Sequence, residues 1–273
     1  MNRRDSMSVV YWSKTNEREK FATKALEIFK SELKSAQTFL VKPNLVSSEC
    51  CPTTTHPDTL RAVLQFLSSR DVVVADAPAI DAGSSDRIIR DCILRQVCDS
   101  FAVPLINLYK TKASKCVSPR GYRFRMFTMP LQRDFVISLP ILKRHNVCGI
   151  SGALKNQFGY LPRRERALMH LGVKDIDKGI AELNVVARPD LFIVDAVSVL
   201  VQAQEIRHGG KVREAGYMLA GTDPVALDTF GLKILQEVEP DLRGKSLDDI
   251  PHIRQAMEYG VGLREFEAVR LDV

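Results

Sequence analysis

The sequence predicts an α/β fold with a mostly parallel open sheet and helices on both faces. Two patterns carry that prediction: short apolar runs without alternation, such as Val72-Val73-Val74 and Phe192-Ile193-Val194, and apolar residues at helical spacing between them. Strands covered by helices on both sides lose the polar face that alternation would mark. Size agrees, since 273 residues with 45% hydrophobic and 26% charged can bury one large core and are too apolar for disorder.

In order, Val9 to Trp12 reads as a short strand, and residues 17–33 carry Phe21, Ala22, Leu26, Ile28, Phe29 and Leu33 at helical spacing. Thr38 to Lys42 is a strand, residues 57–67 a helix with Pro57 in its first turn, and Val72 to Asp76 the next strand. A helix over about 86–101 leads to the strand Leu105 to Leu108, and residues 123–129 alternate as a solvent-facing strand does, with antiparallel pairing one option. Phe135 to Leu139 is an apolar strand closed by Pro140, and a long polar loop follows to His170. Then come helix 176–187, strand Leu191 to Asp195, strand Tyr217 to Ala220, and helix 224–238, which Asp223 caps with Pro224 at its first position. No repeat or low-complexity linker interrupts this order. Residues 1–273 therefore read as a single domain, with any second lobe, at about 110–215, an insertion.

The net charge of +6 suits anionic ligands, but its Lys and Arg are scattered rather than gathered in one run, so nucleic acid is the weaker partner class. The start, MNRRDSMSVVYWS, has positive residues without a following apolar stretch of signal-peptide length, and no run approaches the ~20 residues of a membrane span. A cytoplasmic protein without a membrane partner is expected. Six cysteines, at 50, 51, 92, 98, 116 and 148, form no CxxC pair and no ferredoxin-type run, so no iron-sulfur cluster is expected and reduced thiols are the default. Cys50-Cys51 reads as two incidental thiols, or as a redox or metal pair; Cys92 and Cys98 read as small core hydrophobes.

Candidate chemistry gathers in LPILKRHNVCGISGALKNQFGYLPRRERALMH, residues 139–170. In open α/β sheets ligands bind beyond the carboxyl ends of strands. Lys143, Arg144 and Lys155 are fixed cations there, the amides of Gly149, Ser151 and Gly152 can form an anion-binding nest, and Asn156 adds a polar side chain. His145 and His170 can ligate a metal or move a proton, although their spacing of 25 residues is no local metal motif. Residues 161–166 read as a solvated helix start that can also act as a lid. Lys42 and Asn44, Asp76, and Asp195 end other strands, and in a parallel sheet those ends share one edge. Each also has a bland reading: a solvated lysine, a turn asparagine, capping aspartates.

Together KPN at 42–44, the D-x-P at 76–78, LPxLKxH at 139–145, SGALKNQFG at 151–159, His170, the strand ending in Asp195 and TDPVALD at 222–228 resemble the domain of unknown function 362 family, over nearly the whole chain. That resemblance implies an archaeal or bacterial type of protein without an assigned reaction. This chain lacks the ferredoxin-like cysteines of some members, and Gln202 and Gln204 stand where an acidic turn is expected after Asp195. More locally, His145 through SGALK to His170 is similar to the nickel-pincer lactate racemases. That likeness implies Lys155 as anchor of a metal-bearing organic cofactor, with His145 and His170 near its metal. Racemisation itself is not expected, because no histidine lies between His56 and His145 to complete an acid/base pair.

The leading expectation is an enzyme acting on an anionic small molecule or cofactor, with a metal-assisted redox or isomerase step. His145, Lys155 and His170 are its catalytic candidates; Lys42, Asn44, Asp76, Lys143, Ser151, Gly152 and Asn156 bind the ligand; His145 and His170 are the metal candidates. A non-catalytic carrier of such a ligand, and a nucleic-acid binder using residues 142–166, are the alternatives.

Overall fold

The computed structural model describes residues 7–273, so the expectation drawn from Arg3 and Arg4 at the start of the chain lies outside the described residues. The elements are β1 (Ser8–Lys14), α1 (Arg18–Ile28), α2 (Lys30–Ser35), β2 (Thr38–Pro43), α3 (Pro57–Phe66), β3 (Asp71–Asp76), α4 (Ser85–Asp91), α5 (Ile93–Ser100), β4 (Leu105–Asn107), β5 (Ala113–Val117) and β6 (Arg123–Phe127). They continue with β7 (Phe135–Leu139), β8 (Ile141–His145), β9 (Gly149–Ser151), α6 (Ala153–Asn156), α7 (Arg163–His170), α8 (Ile176–Ala187), β10 (Leu191–Val201), β11 (Lys211–Gly221), α9 (Pro224–Val238), α10 (Pro251–Glu258) and β12 (Phe266–Arg270).

The main sheet runs β12-β1-β11-β10-β7-β2-β3-β4. From β10 to β4 all neighbours are parallel, and the antiparallel pairs are β1 with β11 and β11 with β10. Successive side chains of a strand face opposite sides, which divides the apolar runs between two cores. Leu40, Val136, Phe192 and Val194 face one layer, with α8, α9 and α10, while Phe39, Val41, Ile137 and Ile193 face the other, with α1, α3 and α5. The fold is therefore α/β, a mostly parallel sheet with helices on both faces.

Several local expectations change. The chain after Pro140 is not a loop: β8 pairs in parallel with β10 and antiparallel with β9, and short helices follow. Pro140 separates two strands because it lacks an N–H but keeps its carbonyl, which accepts from the Asp195 amide at 3.0 Å. β10 does not end at Asp195 but continues through the apolar Val197-Ser198-Val199-Leu200-Val201, with a register shift between Ala196 and Ser198. Asp195 accordingly turns to Arg18, whose Nε lies 2.6 Å from its Oδ2. Within residues 110–215, β7 and β10 are central strands of the main sheet, and β5 with β6 forms a separate antiparallel pair whose Arg123 and Arg125 are exposed between buried Phe124 and Met126.

Two aspartates fix helix starts. Asp223 accepts from the amides of Val225 and Ala226, as an N-cap does. Asp228, one turn into α9, reaches across the layer and accepts from the amides of Ala153 and Leu154 at 2.6 and 3.0 Å, holding the start of α6. Burial raises the Asp228 carboxyl to about 6, against these two bonds. Since the folded state then holds this proton more tightly than the unfolded chain, the stabilisation is complete below the unfolded value of 3.8 and is lost as pH rises through about 6. At 1.36 kcal/mol per unit it amounts to about 3 kcal/mol. Urea midpoints of the wild type should therefore carry a decline between pH 4 and 7 that Asp228→Asn, less stable throughout for lack of one acceptor, does not share. An equal slope in both proteins would show that another group sets it.

Candidate active site

At the carboxyl ends of β2, β3 and β8 lies a cavity of about 360 Å³. Lys42, Asn44, Asp76, Lys143, His145, Ser151, Lys155, Asn156 and His170 all line it. Gly152 does not: it packs against the Asp228 carboxylate, where an added Cβ would collide with Oδ1. Arg144 is also outside. Strand alternation turns Lys143 and His145 inward and Arg144 away, so its guanidinium bonds the carbonyls of His145 and Gly149. Of the predicted amide nest, Gly149 and Ser151 lie in a strand instead of a turn, opposite His145 and Lys143 in the β8–β9 ladder.

The cavity is built around one buried ion pair. Lys42 at the end of β2 meets Asp76 at the end of β3, with Nζ 2.7 Å from Oδ1. Asp76 also accepts from the amides of Ala77 and Leu45, so its carboxylate is fully engaged. Burial lowers the lysine's proton affinity and Asp76 opposes that shift. Gly159 lies against this pair, where a Cβ would stand 2.7 Å from Lys42 Cε and 2.8 Å from its Nζ. No side chain fits there.

Two further lysines lack that kind of partner. Lys143 Nζ lies 2.8 Å from Asn44 Oδ1 and 2.7 Å from the Thr53 carbonyl, both neutral acceptors. Burial pushes its proton affinity down to about 7, with Lys155 acting in the same direction. Lys155 comes from α6; its residue is only 9% exposed, and among the described residues its Nζ has neither an ion pair nor a hydrogen bond, lying 4.3 Å from the Phe158 ring centre. Burial lowers it too. Asn156 beside it is structural, donating to the Lys42 carbonyl and Ser138 Oγ.

His145 accepts the amides of Val147 and Cys148 on Nδ1, at 3.2 and 3.1 Å. Burial and then Lys155 hold its proton affinity well below the ordinary value. A neutral ring whose Nδ1 accepts carries its hydrogen on Nε2, so His145 is a hydrogen-bond donor on that side. A metal-ligating histidine normally donates through its other nitrogen, which these two amides prevent. Among the described residues no three His, Cys, Asp or Glu side chains are placed to hold a metal. The expected pairing of His145 and His170 on a metal therefore does not fit. His170 is exposed at the mouth, edge-on to Phe158 with ring centres 5.5 Å apart, and burial by its neighbours lowers its proton affinity.

Sequence reading missed Arg166, assigned to a solvated helix start. It is buried and lines the cavity, and its guanidinium bonds the carbonyls of Ala77, Pro78, Gly159 and Leu161, stitching α7 to the loop after β3. Glu205, Asp81 and His208 also line the cavity, with Arg207 bridging Glu205 to Asp81 across the mouth. Glu205, next to Gln204, supplies the acid expected after Asp195, whereas no local pattern marks Asp81 and His208, which the pairing of distant loops brings in.

A model of the family described as a domain of unknown function, DUF362, matches residues 39–233. A thylakoid-associated protein of Synechocystis is 26% identical over 215 residues, covering 75% of this chain and 64% of that protein. Among solved structures, the lactate racemase apoprotein of Thermoanaerobacterium thermosaccharolyticum is similar with a TM-score of 0.56 and 11% identity, over 85% of this chain and 57% of the racemase. The chain spans less than two thirds of either protein, and the second likeness is one of fold.

Two measurements follow from this geometry. Nitrogen-15 NMR of the histidine rings near pH 6.5 should show His145 neutral with its hydrogen on Nε2; a hydrogen on Nδ1 would restore it as a metal ligand. Asp76→Asn, which strips the buried Lys42 of the carboxylate paired with it, should cost about 3 kcal/mol in urea unfolding. The Lys42→Met, Asp76→Asn double variant should lose less than the two single losses added.

Proposed function

Because the chain belongs to the DUF362 family, whose name records no reaction, we propose a function from the cavity itself: it binds a small anionic molecule and acts on it as an enzyme. Lys155 is the observation that carries this reading. A buried ammonium without an ion pair is costly, and a carboxylate or phosphate relieves that cost with a charge-assisted hydrogen bond. The Nε2–H of His145 supplies a further donor to the same volume, while Asp76 is already committed to Lys42. Titratable groups with suppressed proton affinity clustered in one cavity favour catalysis over simple carriage. We also place the protein in the cytoplasm; six free cysteines, three of them buried, support a reducing compartment.

Lys155→Met keeps most of the stem packing and deletes the charge. Titrated calorimetrically with inorganic phosphate and with acetate, it should bind at least one of them roughly ten- to a hundredfold more weakly than the wild type, the loss of a bond worth about 1.5 to 3 kcal/mol at 1.4 kcal/mol per decade. Its melting temperature should be no lower than that of the wild type, since a buried unpaired charge is removed. Arg164, exposed on α7, is the control. A nucleic-acid surface would instead share its affinity over many cations, with a steep salt dependence. Equal, salt-sensitive losses of RNA binding in Lys155→Met and Arg164→Met, without an effect on the small anions, would overturn the cavity reading.

A further inference from the structure

Lys143 differs from its neighbours in how its nitrogen is satisfied. A primary ammonium has three N–H bonds to place, whereas a neutral amine has two and a lone pair. The nitrogen of Lys143 has two close acceptors, Asn44 Oδ1 and the Thr53 carbonyl, and no carboxylate pairs with it among the described residues. The residue is 1% exposed, and its side chain lines the cavity together with Lys155 and His145. Two carbonyl oxygens match the two N–H bonds of the neutral form and leave the lone pair unengaged. Lys42 is the contrast, held as a cation by Asp76 at 2.7 Å. The carboxylates of Glu205 and Glu49 act on Lys143 without an ion pair and favour its charged form, but burial, the largest influence, outweighs them. Desolvation beside a second cation, Lys155, is the environment that activates a lysine as a nucleophile near neutral pH.

We propose that Lys143 is the nucleophile of this cavity and condenses with the carbonyl carbon of a 2-oxo acid. The inference rests on the anion-site reading, since the carboxylate of the substrate is the group that Lys155 recognises. In a 2-oxo acid the carboxylate and the carbonyl oxygen lie side by side, so one ammonium serves both. The lone pair of Lys143 Nζ attacks the carbonyl carbon, and the π electrons move to oxygen, which takes a proton from the Lys155 ammonium. The new carbinolamine nitrogen returns one proton to the Lys155 amine. Lys155 then delivers it to the hydroxyl, which leaves as water as the nitrogen lone pair closes the C=N bond. Amine, carbonyl compound and Lys155 ammonium have become protonated imine, water and neutral Lys155; nothing is oxidised or reduced, and the net charge of the cavity is unchanged. The Nε2–H of His145 is a further donor to the oxygen in flight.

Glyoxylate with cyanoborohydride tests this on the full chain, since hydride reduces a protonated imine to a stable N-carboxymethyl lysine. Intact mass should show one adduct at low glyoxylate, peptide mapping should place it on Lys143, and its rate should rise through about pH 7. Lys143→Met should lose that adduct; mapping in the wild type stands alone if the variant does not fold. Adducts on Lys155, or spread over exposed lysines such as Lys20 and Lys34 with Lys143 labelled no more than they are, would overturn the proposal. If glyoxylate raises the melting temperature of the wild type and not of Lys155→Met, yet no adduct forms on Lys143, the imine is excluded and the anion site stands. If neither glyoxylate nor phosphate stabilises the wild type, both readings fall.

Discussion

The cavity depends on the ion pair between Lys42 and Asp76. It joins the carboxyl ends of two adjacent parallel strands, and Asp76 spends its remaining acceptor capacity on the amides of Leu45 and Ala77. Both chain turns leaving the sheet are thus tied to one carboxylate. An isolated buried charge costs far more than it returns, so neither partner is tolerable without the other. Around this fixed neutral pair Lys155 and Arg166 have no carboxylate held as closely, and the positive charge of the cavity comes from them.

Two geometric rules distribute the rest of the chemistry. Strand alternation along β8 sends Lys143 and His145 into the cavity and Arg144 away from it, although the three are consecutive. Helix termini do the second part: Asp228 holds the start of α6, so Lys155, two residues further on, is presented from a fixed turn rather than from a loose loop. Rigid mounting matters for a cation that makes no contact of its own with an acceptor, because packing alone then sets where its charge lies.

Much of this was legible in sequence. Apolar runs such as Val72-Val73-Val74 mark strands buried on both faces, and the polar residues that end them, Lys42 and Asp76, fall at the sheet edge that a parallel arrangement requires. What sequence did not reveal depends on pairing between distant segments. β8 reads as loop because Lys143, Arg144 and His145 are polar, and its strand character comes from β10, some fifty residues away. Arg166 reads as solvated because only the carbonyls of Ala77 and Pro78, brought in from another loop, can make its burial tolerable. His145 reads as a metal ligand until two backbone amides claim its Nδ1. Asp195 reads as a strand end until the apolar residues after it extend the ladder and Arg18 takes its carboxylate.

Gly152 and Asp228 carry a consequence for how such a protein can change. The carboxylate that fixes α6 occupies the space a side chain at position 152 would need. Neither position can be altered alone: a larger residue at 152 displaces the cap, and a shorter residue at 228 leaves two amides without acceptors. Any drift in the mounting of α6, which presents Lys155, must pass through paired substitutions seventy-six positions apart in the chain, the first of which is deleterious. Divergent descendants of such a sequence should therefore explore new ligands at the mouth, where His170 and the Arg207 bridge face solvent, while the seat of α6 stays as it is.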